Sequence, residues 1–309
     1  MFGQLVLGVA GNGSVRSVVT RSGLSRPVVC RFVPGEDVEA ALGAVTALRT
    51  RGLRATLDVL GEDVTDPAQA DATVEAYSQL VDRLADAGLA EGDEVSVKLS
   101  ALGQALGPDG PRAATERAHR LVERATARGV DVTLDMEGSA TVDATLETLR
   151  SLRADVPRVG CVLQSMLHRT LADARDLAHP GSRVRLVKGA YAEPAPVAHQ
   201  HRADVDRAWV RCLRVLLDGG AYPMAGTHDP RLVAITEELL GEPAGAGEPR
   251  GEFQMLYGIR TDEQERLAAA GHRVRVYVPF GTDWYGYFSR RLAERPANLA
   301  FFARSLVSR

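Results

Sequence analysis

At 309 residues, 45% of them hydrophobic and 25% charged, the chain has the make-up of a globular protein with an ample core, as one large domain or two smaller ones. A formal net charge of -3 gives no basic footprint, which excludes nucleic acid as an expected partner. Cys30, Cys161 and Cys212 share no metal-ligand spacing, which argues against a disulfide scaffold or zinc site and points to a reducing compartment.

The opening "MFGQLVLGVAGNG" lacks the basic and long apolar regions of a signal peptide. No apolar run reaches the roughly 18 residues of a membrane span. A cytoplasmic protein is expected, with a peripheral contact at the inner face of the cell membrane left open. In "GVAGNGSVRS", Arg16 stands where a dinucleotide-binding loop needs its third glycine, so a plain turn is the preferred reading. "GEDVEAALGAVTALRTRG" has helical periodicity, and residues 1–52 read as a helical N-terminal arm.

From residue 53 onward short apolar or alternating runs recur: "ATLDVL" at 55, "EVSVKL" at 94, "DVTLDM" at 131 and "GCVLQ" at 160. "RVRLVK" at 183, "YPMAG" at 222, "EFQML" at 252 and "RVRVYV" at 273 follow. Between them lie amphipathic segments such as "ATVEAYSQLVDRLADAG", with Val74, Tyr77, Leu80, Val81 and Leu84 on one stripe. Several stop at a glycine (Gly88, Gly129, Gly220, Gly271) just before the next strand. Eight strand–helix units over residues 53–309 predict one α/β domain, a closed (β/α)8 barrel of TIM type. A doubly wound open sheet is the alternative, but its phosphate-binding loop is missing.

Sites in such barrels gather at the C-terminal ends of the strands. Those ends carry Asp58, Lys98, Asp135 with Glu137, Gln164, Arg185 with Lys188, Thr227 with His228, Gln254 and Tyr277. Of 37 basic residues only Lys98 and Lys188 are lysines, both at strand ends, where a compact ammonium is needed rather than a guanidinium fork. So many charges converging in apolar runs suit an anionic ligand better than stability. After the last strand, "FGTDWYGYFSRRLAERPANL" reads as a helix capped by Thr282 or Asp283. On it Tyr287, Arg291 and Glu294 share a face, with Arg290 about 100° around. The arginines are either a solvated pair or a carboxylate clamp at the barrel mouth. A metal-dependent barrel hydrolase using Asp135, Glu137 and His228 is the competing reading. It is the weaker one, because no His-x-His follows the first strand and "HQH" at 199 falls in a loop or helix start.

"VKLSALG", "LDMEG", "VLQSMLHRT", "RLVKGAY", "THDPRL", "EFQMLYGIR" and "VYVPFGTDWYGYFSRRLAERPANL" run in order from about residue 95 to 300. Together they resemble the proline dehydrogenase family, in particular its short monofunctional bacterial members. The resemblance implies a flavoenzyme on a distorted (β/α)8 barrel with a C-terminal substrate-binding helix and no metal. It would oxidise L-proline to 1-pyrroline-5-carboxylate, the first step of proline catabolism to glutamate, and pass electrons to a membrane quinone. Carried over by motif, Lys98, Arg290 and Arg291 would hold the substrate carboxylate. Tyr191, Leu256, Tyr277 and Tyr287 would wall the proline ring, with Glu294 steadying the arginines. Asp135 and Arg185 would be the catalytic polar residues. FAD would be contacted by Met136, Gln164, Arg185, Val187, Lys188, Gly189, Ala190, Thr227, His228 and Gln254. Met166 and His168 in "SMLHR" depart from the family's usual Ala-Tyr-Leu followed by two basic residues. No aldehyde dehydrogenase domain follows Arg309, so a separate 1-pyrroline-5-carboxylate dehydrogenase is expected to take the product.

Overall fold

The computed structural model describes residues 29–61, 64–242 and 248–294, and in the last helix side chains only as far as residue 289. The first described helix is α1 (Val38–Arg49). Eight strand–helix pairs follow: β1 (Arg54–Val59), α2 (Pro67–Asp86), β2 (Glu94–Val97), α3 (Gly110–Ala127), β3 (Asp131–Leu134), α4 (Val142–Asp155), β4 (Gly160–Gln164) and α5 (Thr170–Asp176). The second half is β5 (Arg183–Val187), α6 (Arg202–Asp218), β6 (Tyr222–Gly226), α7 (Pro230–Leu240), β7 (Glu252–Leu256), α8 (Thr261–Ala269), β8 (Val274–Phe280) and α9 (Trp284–Glu294). A 3-10 turn, Ser139–Thr141, precedes α4. All eight strands pair in parallel in chain order and close on themselves through β1 and β8, so the barrel expectation holds and the open sheet is excluded.

Local chemistry sets these boundaries. In α2 the Asp66 side chain accepts from the Gln69 N–H and Pro67 opens the first turn, two start signals together. Its buried Val74, Tyr77, Leu80, Val81 and Leu84 are the stripe read from the sequence. Gly88, at φ 70°, ends the segment in a left-handed conformation that most side chains would strain.

The helix ring is irregular at its seam. α1 packs against β8 and β1, and its Ala41, Leu42, Ala44, Val45 and Leu48 belong to the main core. The helix that follows β8 packs elsewhere: Trp284, Tyr287 and Phe288 of α9 join Val29, Phe32, Val33 and Leu60 in a second apolar cluster. An N-terminal helix thus covers the β8–β1 seam, while α9 contributes Tyr287 to the main cavity of the barrel. Among the described residues no helix is long and apolar enough to cross a membrane.

The barrel interior is charged as well as apolar. Glu94 of β2 receives Arg183 Nη2 at 2.5 Å and Arg185 Nη2 at 3.1 Å, while Arg275 of β8 binds Glu252 of β7 at 2.6 Å. Arg275 also donates to the Ala55 and Gly92 carbonyls, and Thr133 donates to Glu94, so these buried charges are hydrogen-bonded as well as paired. Burial opposes ionisation of Glu94, but the guanidiniums of Arg275, Arg183 and Arg185 outweigh it and hold the carboxyl well below its ordinary range.

Candidate functional site

Most of the functional side chains sit near a strand end or in the first residues beyond it, where the side chain can face the mouth, while Arg202, Arg231 and Tyr287 come from helices. Arg185, within β5, is the most heavily fastened of them. Its Nε donates to Gln254 Oε1 at 2.5 Å, and its Nη1 reaches Asp135 Oδ1 at 2.5 Å and Ser96 Oγ at 3.0 Å. Nη2 reaches down to Glu94, and the guanidinium lies 5.4 Å from the centre of the Tyr277 ring. Asp135 is engaged on both oxygens, since Ser96 Oγ donates to Oδ1 at 2.7 Å and Tyr277 hydroxyl to Oδ2 at 2.9 Å. Burial, followed by the charges of Asp135 and Asp58, pushes the Tyr277 phenol well above its usual range, so it remains a donor at neutral pH.

Asp58, at the end of β1, receives Lys98 Nζ at 2.9 Å on one oxygen and the Tyr77 hydroxyl at 3.2 Å on the other. Burial raises its carboxyl, and the Lys98 ammonium opposes that rise. The second lysine borders the same cavity just beyond the end of β5. Lys188 Nζ stands 2.5 Å from Asp206 and 2.9 Å from Asp229, with Arg202 and Arg231 on the same carboxylates. Burial acts against Asp229, but Arg231 and Lys188 hold its carboxyl far below the usual range.

These groups line a single cavity of about 980 Å³. Lys98, Asp135, Met136, Gln164, Arg185, Val187, Lys188, Gly189, Ala190, Tyr191, Thr227, His228, Gln254, Leu256, Tyr277 and Tyr287 all border it, so the structure brings together every described residue expected at the site. Arg290, Arg291 and Glu294 fall on the last turns of α9, and their side chains lie outside the described residues. Met166 and His168 do not line the cavity. They support the loop after β5 from below: a Cβ on Gly189 would lie 2.4 Å from Met166 Sδ, and His168 Nε2 meets the Ala195 carbonyl at 3.0 Å.

The metal-hydrolase reading is corrected. His228 Nε2 accepts the Leu256 N–H at 2.9 Å, which leaves the ring proton on Nδ1. Glu137 is turned away to Ser100, whose N–H and hydroxyl donate to its two oxygens at 3.1 and 2.6 Å, while Asp135 is taken by Arg185. No cluster of three potential metal ligands occurs among the described residues.

The donor set suits a flavin nucleotide. Val162, Val187, Met136, Met255 and Leu256 offer apolar contacts, and Arg185, Gln164 and Gln254 supply the polar edge a planar heteroaromatic ring needs. Gly189 and Gly226 present bare backbone to the cavity. Lys188, Arg202 and Arg231 set three cations around the carboxylates of Asp206 and Asp229, a surplus suited to phosphate. Asp58, Arg202 and Arg231 were not among the residues expected to bind. Asp58 had a signal in its strand-end position; the two arginines lie in helices and gave none.

The comparisons with known proteins agree with this chemistry. A family model described as Proline dehydrogenase matches residues 41–304. Proline dehydrogenase of Deinococcus radiodurans is 42% identical over 279 residues, 90% of this chain and 89% of that protein. Proline dehydrogenase 1 of Bacillus subtilis is 36% identical over 282 residues, 90% of each chain. Among solved structures, proline utilization A from Bdellovibrio bacteriovorus, inactivated by N-propargylglycine, superposes with a TM-score of 0.79 at 25% identity. That match covers 87% of this chain and 33% of the other, so the chain spans about a third of the length of that protein.

Proposed function

This chain belongs to the proline dehydrogenase family, and from that premise we propose which of its side chains carry out the FAD-dependent oxidation of L-proline to 1-pyrroline-5-carboxylate. The observation that supports the assignment is that both lysines and Arg185 line one cavity, with Lys98 on Asp58 and Lys188 on Asp206 and Asp229.

Lys188, Thr227, His228 and the backbone of Gly189 and Ala190 hold the nucleotide. Met136, Gln164, Arg185, Val187 and Gln254 hold its ring. When bound, the flavin supplies a two-electron acceptor for the hydride on the ring carbon beside the proline nitrogen. Lys98 takes the substrate carboxylate together with Arg290 and Arg291, steadied by Glu294. Tyr191, Leu256, Tyr277 and Tyr287 fit the pyrrolidine ring. Positive side chains around the carboxylate also disfavour the protonated amine, and the reaction needs a nitrogen with a free lone pair. Asp135, Gln254 and Glu94 fix the Arg185 guanidinium, so its positive charge is in place before electrons arrive and needs no reorganisation.

Reoxidation requires an acceptor, for which we propose a membrane quinone reached by peripheral contact from the cytoplasmic side. The product would pass to a separate 1-pyrroline-5-carboxylate dehydrogenase. Supporting this, the curated relatives of matching length are named for the first reaction alone, whereas the bifunctional protein of Escherichia coli is matched over 25% of its length. We further propose that residues 1–52 act as an arm serving the barrel of residues 53–309.

The lysines provide the test. A charge-assisted hydrogen bond is worth about 1.5–3 kcal/mol, so Lys98→Met should raise the proline KM roughly 10- to 150-fold with FAD retained. Lys188→Met should chiefly lower the FAD content of the purified protein. Unchanged proline kinetics and equal flavin content in both variants would return the lysines to chance.

A further inference from the structure

The mouth of the barrel is tied together by two carboxylate latches of the same form. Glu137, after β3, receives the N–H and hydroxyl of Ser100, after β2. Glu193, after β5, receives the N–H and hydroxyl of Ser139, after β3, each at 2.6 Å. Both Ser139 bonds hold the Glu193 carboxyl below its usual range, the hydroxyl contributing more. The mechanism above makes no use of Glu193.

Its position gives it consequence. The loop 188–201 is fastened in its second half by backbone: His168 N–H donates to the Val197 carbonyl and His199 N–H to the Met166 carbonyl. At its start, Met166 N–H donates to the Lys188 carbonyl. Between these anchors the chain passes through Gly189, at φ 105°, and Tyr191, which is 41% exposed although it lines the cavity. Glu193 fastens this stretch, two residues beyond Tyr191. It crosses to the loop after β3, whose start is Asp135.

We propose that Glu193 is a positioning residue: by latching onto Ser139 it holds the loop after β5 in the conformation that presents Tyr191 to the substrate ring. This rests on the reading of Tyr191 as a wall of the proline site. A loop ordered in only a fraction of molecules lowers apparent affinity by that fraction, so releasing the latch acts on substrate binding more than on turnover. The latch works by geometry. A glutamine at 193 can still accept the Ser139 N–H through its carbonyl oxygen and donate to the Ser139 hydroxyl through its amide.

The experiment is a double-mutant cycle on the FAD-loaded protein. Glu193→Ala should raise the proline KM about ten-fold, the effect of an ordered fraction falling to roughly one tenth, with kcat changed less than about two-fold. FAD content should be unchanged and the thermal midpoint shifted by no more than about 2 °C. Glu193→Gln should recover most of the loss. Tyr191→Ala should raise KM by itself, and Tyr191→Ala with Glu193→Ala should be no worse than Tyr191→Ala alone. An unchanged KM in Tyr191→Ala sinks the wall and the latch together. A raised KM in Tyr191→Ala with none in Glu193→Ala, additive effects in the double variant, or parallel losses of FAD and thermal midpoint in Glu193→Ala overturn the latch and leave the wall standing.

Discussion

Arg185→Met should lower kcat for proline about 100- to 1,000-fold while the purified protein stays yellow. The effect is electrostatic. Arg185 is gripped by Gln254, Asp135, Ser96 and Glu94, so its charge is oriented in advance and shielded from water. Removing one such preorganised donor costs roughly two to three orders of magnitude in kcat in enzymes whose reacting centre gains negative charge. Methionine keeps much of the length without the charge. Arg185→Lys restores the charge but cannot serve Gln254, Asp135 and Glu94 with one fork, so it should fall between the two. Stopped-flow reduction of the bound flavin by proline measures the step directly. A rate within about three-fold of the parent in Arg185→Met, with FAD bound, would remove Arg185 from the chemistry.

Glu94→Gln should destabilise the barrel by about 3–5 kcal/mol, the usual cost of removing one partner from a buried ion pair. Inside the barrel Arg183, Arg185 and Arg275 are paired with Glu94, Glu252 and Asp135, and Arg183 also reaches Asp131 at the start of β3. The substitution removes the carboxylate that Arg183 and Arg185 share, leaving Asp131 and Asp135 as their remaining partners. The same group gives a pH dependence. Its folded-state pKa lies below the ordinary value of 4.5, so its stabilisation is complete above about pH 4.5 and is lost as acid takes the pH down through the folded value. Urea midpoints followed from pH 7 to pH 3 should fall less steeply for Glu94→Gln than for the parent. Equal midpoints at pH 7 would show that the network carries no stability.

The number and order of the strands were legible because a parallel barrel repeats one local pattern, an apolar run followed by an amphipathic segment and a glycine stop. The strand-end residues were legible for the same reason: once β5 is placed, Arg185 and Lys188 fall at its mouth. The charged interior was not. Glu94, Arg183, Glu252 and Arg275 come from β2, β5, β7 and β8, and a period of two says only which side of its own strand each occupies. Arg183 and Arg185 in "RVR" share a face, but the carboxylate they share, Glu94, lies about 90 residues earlier in the chain. The latches escaped notice too, since Glu137 and Glu193 act across loops whose spacing only closure of the barrel fixes. That α1 covers the β8–β1 seam in place of α9 was not legible from periodicity, which shows that a helix packs without showing where; the place of α9 at the mouth came from the family resemblance.

The central claim is that this cavity holds FAD and oxidises proline there. Anaerobic titration of the FAD-loaded protein with L-proline, followed in the visible spectrum, tests it most directly. The flavin band near roughly 450 nm should bleach with proline and return on admission of an electron acceptor. A protein that takes up FAD yet keeps its full absorbance under excess proline would contradict the account.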